Sequence, residues 1–233
     1  TLGKLFSGEL GPSMDFYIYS RHFNPTVLNL SRQLAALEGT EAAYCTSSGM
    51  SAISSVLLQL CDHGDRIVAS SHLYGGTFAL LSHFLPRTCG ITTTFVDIFG
   101  EDAEAEIRAA LPTALVLSPV RLGADVVLHS VTKYMSGGAG IIAGAVCGPA
   151  ALIDSMMGLQ QGALMLLGPT MNPNVAFGIS ERIPHLALRM KEHCHRALTY
   201  AARLRNLGLQ VIYPGLEEHP QHHLFKRLAN PGY

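Results

Sequence analysis

Between residues 42 and 110, short apolar runs alternate with helix-patterned stretches, and that alternation constrains the fold more than any other feature. Ala42-Ala43-Tyr44-Cys45-Thr46 reads as a strand. Ser47-Ser48-Gly49-Met50-Ser51 then turns into a helix with Ile53, Val56, Leu57 and Leu60 on its buried face. Asp65-Arg66-Ile67-Val68-Ala69 is a second strand. Leu73-Tyr74-Gly75-Gly76-Thr77 is a turn into a helix around 78–84, and the β-branched run 91–96 is a third strand. A helix with acidic residues in its first turn is predicted over 101–110. Such alternation argues for a parallel sheet with helices on its faces. Ligands of these sheets bind at the carboxyl ends of the strands.

Two segments lie at such ends. Ser47-Ser48-Gly49-Met50 opens a helix, where free backbone N–H groups and the positive end of the helix dipole favour an anion. An ordinary N-cap explains the same residues equally well. The second segment is Ser130-Val131-Thr132-Lys133, which ends the apolar run 124–129 and precedes the glycine-rich loop Ser136-Gly137-Gly138-Ala139-Gly140. A lysine at the end of a buried strand is costly to desolvate, so its ammonium loses its proton or finds a partner. It is then an amine nucleophile able to form a Schiff base with an aldehyde. Ser130 and Thr132 are two apart on an extended chain, share a face, and are placed to hold one anion together. Phosphate beside amine points to pyridoxal phosphate (PLP). By itself S-x-T-K is short, and a surface lysine at a strand–loop junction accounts for it. The loop glycines match neither nucleotide-loop spacing.

The 233 residues can bury a sizeable core, with 48% hydrophobic and only 14% charged residues and no Trp. A net charge of −1 gives no footprint for nucleic acid or an anionic membrane. No apolar run reaches membrane-span length. The five cysteines, Cys45, Cys61, Cys89, Cys147 and Cys194, are scattered without metal-site spacing. They read as reduced thiols in the cytoplasm. The histidines at 193, 195, 219, 222 and 223 read as solvated rather than metal-binding. The chain begins at Thr1 rather than Met, which leaves room for a removed targeting peptide.

Residues 1–22 read as an irregular N-terminal arm carrying Tyr19 and Arg21. Asn24-Pro25 opens a helix, Asn as N-cap and Pro at its first position, and Gly39 ends it. After Gly148 the pattern turns helical: 150–159, then a long helix over 174–207 interrupted or kinked at Pro184. A strand over 209–213 begins a second domain.

Taken together, Tyr19-Ser20-Arg21-His22-Phe23-Asn24-Pro25-Thr26, Ser47-Ser48-Gly49-Met50-Ser51-Ala52-Ile53, Leu73-Tyr74-Gly75-Gly76-Thr77 and His129-Ser130-Val131-Thr132-Lys133-Tyr134 resemble the Cys/Met-metabolism family of PLP enzymes, the trans-sulfuration enzymes. Within it, stretches such as Leu166-Leu167-Gly168-Pro169-Thr170-Met171-Asn172 are most similar to the methionine γ-lyase type in its plant form. The resemblance implies an aspartate-aminotransferase-like α/β fold (fold type I). Its mixed, mostly parallel sheet lies between helices. A large PLP-binding domain spans 23–172, and 173–233 form a linking helix and the start of a truncated C-terminal domain. It implies Lys133 as Schiff-base lysine, Ser130, Thr132, Gly49 and Met50 as phosphate ligands, and Tyr74 as the ring-stacking residue that acts on the leaving group. It further implies Tyr19 and Arg21 reaching the neighbouring subunit's phosphate, hence a homodimer completing the site, usually within a homotetramer. No metal is implied. The activity implied is γ-elimination of L-methionine to methanethiol, 2-oxobutanoate and ammonia. The alternatives are cystathionine γ-synthase, γ-lyase or O-acylhomoserine sulfhydrylase chemistry, or a non-catalytic paralogue acting as an assembly partner.

Three departures qualify that resemblance. A strand–helix–strand unit of roughly thirty residues, carrying the aspartate that pairs with the pyridinium nitrogen, is missing near residue 114, and neither Asp97 nor Asp125 matches it. The arginine that binds the substrate carboxylate has no counterpart up to Tyr233. Gly140 stands where relatives commonly have Asp, and Gly76 where bacterial methionine γ-lyases have Cys. Loss of a central strand unit predicts exposed sheet edges and core surface. Either the sequence joins stretches separated in the whole protein, or the protein is a shortened paralogue. An intact mass of 25.0 kDa would mark the deletion as real.

Overall fold

The computed structural model describes residues 4, 7, 17, 19–97, 117–138 and 140–230. Most of the arm, the helix expected over 101–110 and the junction near 114 lie outside the described residues.

Helix α1 (Pro25–Glu38) starts as its sequence dictates. Asn24 is extended, and its Oδ1 accepts from the N–H groups of Thr26 (3.0 Å) and Val27 (3.3 Å), donors that a helix start leaves without acceptors. Gly39 ends it at φ 75°, a conformation that a side chain resists. Val27, Leu30 and Leu34 fall on one face at helical spacing and are fully buried. Strand β1 (Ala42–Thr46) follows, then α2 (Gly49–Leu60), β2 (Arg66–Ser70) and a three-part helical stretch: α3 (Gly75–Ala79), a π-helical turn (Leu80–Phe84) and α4 (Leu85–Cys89). Pro86 accounts for the wide turn. It lacks an N–H, and its ring would strike the carbonyl four residues back. Strand β3 (Thr92–Val96) closes this half. The second half holds β4 (Val127–His129), β5 (Gly144–Gly148), α5 (Ala150–Met156), α6 (Ala163–Leu167), α7 (Pro173–Ser180), α8 (Leu186–Asn206) and α9 (His222–Leu228).

The architecture is α/β, but the expected mostly parallel sheet is corrected. Among the described residues, β1, β5 and β4 form an antiparallel sheet in that order, and only β2 and β3 pair in parallel. No strand among the described residues joins β2 to β4, so two sheets stand where one was expected. The predicted exposure follows, with Val68 in the middle of β2 67% exposed.

Helices cover both faces of the antiparallel sheet, so β5 is buried at every position. Ala145 and Cys147 point into a core shared with α1, α7 and α8, alongside Leu30, Leu34, Ile179 and Met190. Val146 points to the opposite core with Tyr44, Val56, Met156 and Leu164. This is the period-two alternation of a strand. A third cluster, centred on Leu81, Leu85 and Ile91, lies under β2 and β3.

The helix expected over 174–207 with an interruption at Pro184 is two helices, because Pro184 cannot continue the ladder and the chain turns through residues 181–185. One further expectation changes. Residues 209–213 form no strand: no strand among the described residues pairs with them, and Ile212 is 81% exposed. No helix among the described residues is long and apolar enough to cross a membrane.

Candidate active site

The N-terminus of α2 is capped so that two donors stay free. Ser48 Oγ accepts from the Ser51 N–H (3.1 Å), and Ser51 Oγ accepts from the Ser48 N–H (3.0 Å), a reciprocal capping box. The N–H groups of Gly49 and Met50 then have no acceptor among the described residues. Ser130 lies directly against them. A Cβ placed on Gly49 would sit 2.9 Å from Ser130 Cβ, so only glycine lets the two backbones approach this closely. The Ser130 hydroxyl has no hydrogen-bond partner within the described chain.

This corner opens on a cleft of about 660 Å³ between the two sheets. One wall carries Ile67, Val68 and Ala69 of β2 with His72, Tyr74 and Thr77. The other carries Leu128, His129, Ser130 and Lys133. Thr77 Oγ1 donates to Met50 Sδ (3.9 Å), and the Tyr74 ring crowds Gly76, whose added Cβ would meet it at 2.6 Å. Tyr74, Ser130 and Lys133 therefore line one cleft, with Gly49 packed against Ser130 and Met50 against Thr77 at its edge. Among the described residues no Asp or Glu lines it. Asp97 instead lies 3.8 Å from His72 Nδ1, and Asp125 is exposed.

The expectation of a desolvated Lys133 at a buried strand end is corrected. Strand β4 stops at His129, and Lys133 follows within a turn, exposed to solvent in the cleft. Hydrogen bonding makes that turn. The Lys133 N–H donates to Ser130 O (3.1 Å), and the Ser136 hydroxyl donates to Thr132 O (2.6 Å). Thr132 spends its hydroxyl on the next strand's approach, donating to Ala143 O (3.1 Å) and accepting from Ala143 N–H (2.9 Å). Its only proton is thus committed, and Thr132 does not line the cleft.

Two arginines that sequence reasoning missed brace the same turn from α8 and the segment before it. Arg182 donates to Ser136 O (2.6 Å), and Arg189 donates to the carbonyls of Tyr134 (2.5 Å), Met135 (3.5 Å) and Arg182 (3.2 Å). Burial, then the neighbouring Arg182, pulls the Arg189 guanidinium below its usual value. The only sequence signal was their presence in Ser180-Glu181-Arg182-Ile183-Pro184 and in an arginine-bearing helix, with nothing to name the carbonyls they meet.

Tyr19 and Arg21 stand apart from the cleft. Arg21 donates to Met165 O (2.8 Å), its guanidinium lies 5.3 Å over the Tyr19 ring, and Gly168 packs against its stem. Neither residue lines the cleft that holds Ser130 and Lys133.

The sequence pattern of Cys/Met metabolism PLP-dependent enzymes matches residues 7–117 and 107–232, nearly the whole chain. The chain belongs to that family. A methionine gamma-lyase of Arabidopsis thaliana is 59% identical over 272 residues, covering 100% of this chain and 62% of that protein. An O-succinylhomoserine sulfhydrylase of Pseudomonas aeruginosa is 32% identical over 262 residues, covering 95% and 63%. The crystal structure of metB from Corynebacterium glutamicum superimposes with a TM-score of 0.81 at 27% identity, covering 92% of this chain and 65% of that one. The chain therefore spans a little under two thirds of these relatives' length. The Arabidopsis alignment is 272 residues long against 233 here, so about 39 of its positions are bridged by a gap in this member of the family. The two matched stretches overlap at 107–117.

Proposed function

We propose that this member of a PLP-dependent family is a fold type I carbon–sulfur lyase that eliminates methanethiol from L-methionine. The observation that carries the reading is the pair of free N–H groups at Gly49 and Met50, set against the Ser130 hydroxyl in the cleft that also holds Lys133. Three donors at a helix N-terminus suit a phosphate, and the contact at Gly49 is a cradle that any larger side chain would fill. Lys133 would hold the aldehyde carbon, and Ser130, Gly49 and Met50 the phosphate; Thr132 ties the turn to residue 143. When bound, pyridoxal phosphate serves as an electron sink for the carbon beside the substrate nitrogen. Lys133 Nζ, reached by solvent, would take the proton from Cα and then one from Cβ, whose electron pair forms the Cβ–Cγ double bond as the Cγ–S bond breaks. Tyr74 Oη, on the facing wall, would give a proton to the departing sulfur. Water completes the products, 2-oxobutanoate and ammonia.

The arm 1–22 supplies Tyr19 and Arg21 to a neighbouring subunit, within a homodimer and likewise a homotetramer. Their position outside their own chain's cleft supports this. Residues 23–172 are the cofactor-binding domain, and 173–233 link it to a second one. The five free thiols favour a reducing, cytoplasmic setting.

A specific observation favours a second reading. Among the described residues no carboxylate lines the cleft to pair with a pyridinium nitrogen, and about 39 positions of the plant relative are bridged by a gap here. A non-catalytic paralogue that assembles with complete subunits would carry these losses. The deciding experiment is incubation of the purified chain with pyridoxal phosphate, followed by a visible spectrum and a methanethiol assay with L-methionine. The enzyme reading requires a Schiff-base band lost in Lys133→Ala, together with methanethiol release. A band without thiol release assigns the chain to the paralogue. Homocysteine or cystathionine formed instead assigns it to the replacement chemistries.

A further inference from the structure

Glu38 and His129 form a buried pair that the chemistry above does not use. Glu38 is the last residue of α1, and His129 is the last of β4. Their Oε1 and Nε2 atoms are 2.5 Å apart, with side chains 0% and 7% exposed. One hydrogen bond joins the two atoms, and Glu38 lies out of water at the C-terminal end of α1. Pairs of this kind are often no more stabilising than apolar side chains of the same shape. The value of this one lies in geometry.

What it holds is a strand end. β4 is three residues long and, among the described residues, bonded only to β5, with His129 opposite Ala145 as its last register pair. A short edge strand frays most easily at such an end. His129 lines the cleft, and the next residue is Ser130, whose Cβ lies under Gly49.

We propose that the Glu38–His129 pair is a positioning device for Ser130. By anchoring the end of β4 to the end of α1, it aims the Ser130 hydroxyl at the ligand phosphate beside the N–H groups of Gly49 and Met50. Both are positioning residues, since neither is assigned a contact with the ligand. The inference rests on the reading of this corner as a phosphate site.

The test compares affinities of the full chain for pyridoxal phosphate and for pyridoxal, which lacks the phosphate, alongside the melting temperature. In Glu38→Leu/His129→Phe both partners become apolar, and no charge is left buried alone. Pyridoxal phosphate binding is expected to weaken about tenfold or more, the worth of one hydrogen bond to a charged group. Pyridoxal binding should stay as in the wild type. Glu38→Asp, which keeps the charge and shortens the reach, should show a smaller loss of the same kind and decides the matter if the double variant does not fold. Glu38→Gln keeps an acceptor for Nε2–H and should restore the wild-type preference. A merely structural pair would weaken both ligands alike or neither, and that result overturns the proposal. If the wild type itself shows no preference for the phosphorylated ligand, the cradle reading falls and the inference falls with it. A wild-type preference retained in the double variant and in Glu38→Asp defeats the inference alone.

Discussion

Arg21 donates to Met165 O of its own chain, whereas the proposed function takes it to the phosphate of a neighbouring subunit. Arg21→Ala is expected to lower pyridoxal phosphate affinity about tenfold or more, as loss of a charge-assisted hydrogen bond would. Thermal stability should change little, because the contact is half-exposed. Titration by visible absorbance alongside thermal melts checks both. At the same scale, burial pushes the Cys45 thiol from 9.0 to about 12, and burial then Cys45 itself push the Tyr44 phenol from 10.0 to about 12. Both groups keep their protons in the folded state after the unfolded chain has released them. Their contribution is therefore fully present below about pH 9 and is lost as pH rises towards 12, at about 1.4 kcal/mol per pH unit for each group. Cys45→Ala should flatten the alkaline fall in denaturation midpoint, measured from pH 8 to 11.

Among the elements, α2 carries the most function per residue. Its first turn was legible in the sequence because Ser48, Gly49 and Ser51 are the residue types that cap a helix and leave its end open. The reason residue 49 must be glycine was not legible, since the pressure comes from Ser130, far along the chain. Gly49→Ala should bind pyridoxal phosphate at least about tenfold more weakly, because the added methyl meets Ser130 Cβ at 2.9 Å and pushes that residue aside. The overpacking, ~1–3 kcal/mol, outweighs the up to about 1 kcal/mol of helix propensity gained, so melting temperature and affinity should fall together. Equal affinity would show that Ser130 gives way at no cost.

At the scale of the molecule, two predictions follow from the split sheet and the displaced arm. Inserting the plant relative's bridged segment, about 39 residues, at 107–117 should join β2 to β4, raise the melting temperature and reduce binding of a hydrophobic dye. Unchanged values would show that the cleft between the sheets is not the vacated place. For the arm, Lys133→Ala and Arg21→Ala proteins should each be inactive alone. Once subunit exchange is verified, the mixture should recover part of the activity, because one site of a mixed dimer has both residues. No recovery would confine Arg21 to its own chain.

The sequence by itself determined the local elements and the chemistry on offer. Asn24-Pro25 and Gly39 bounded α1, Ser48 opened α2, Pro184 broke the long helix, and Ser130 and Lys133 were visible as donors at a strand end. These are decisions of capping, backbone restriction and residue type, which act within a few positions. Tertiary structure decided what depends on distant partners. Whether residues 209–213 become a strand depends on an edge to pair with, and among the described residues no strand pairs with them. The direction of β5 depends on the strands beside it. Whether Thr132 is free depends on Ala143, and the brace on the lysine turn depends on Arg182 and Arg189. The site is therefore partly written in short motifs. Its completion belongs to hydrogen bonds and close approaches between residues tens of positions apart, whose energies arise only once the chain has closed on itself.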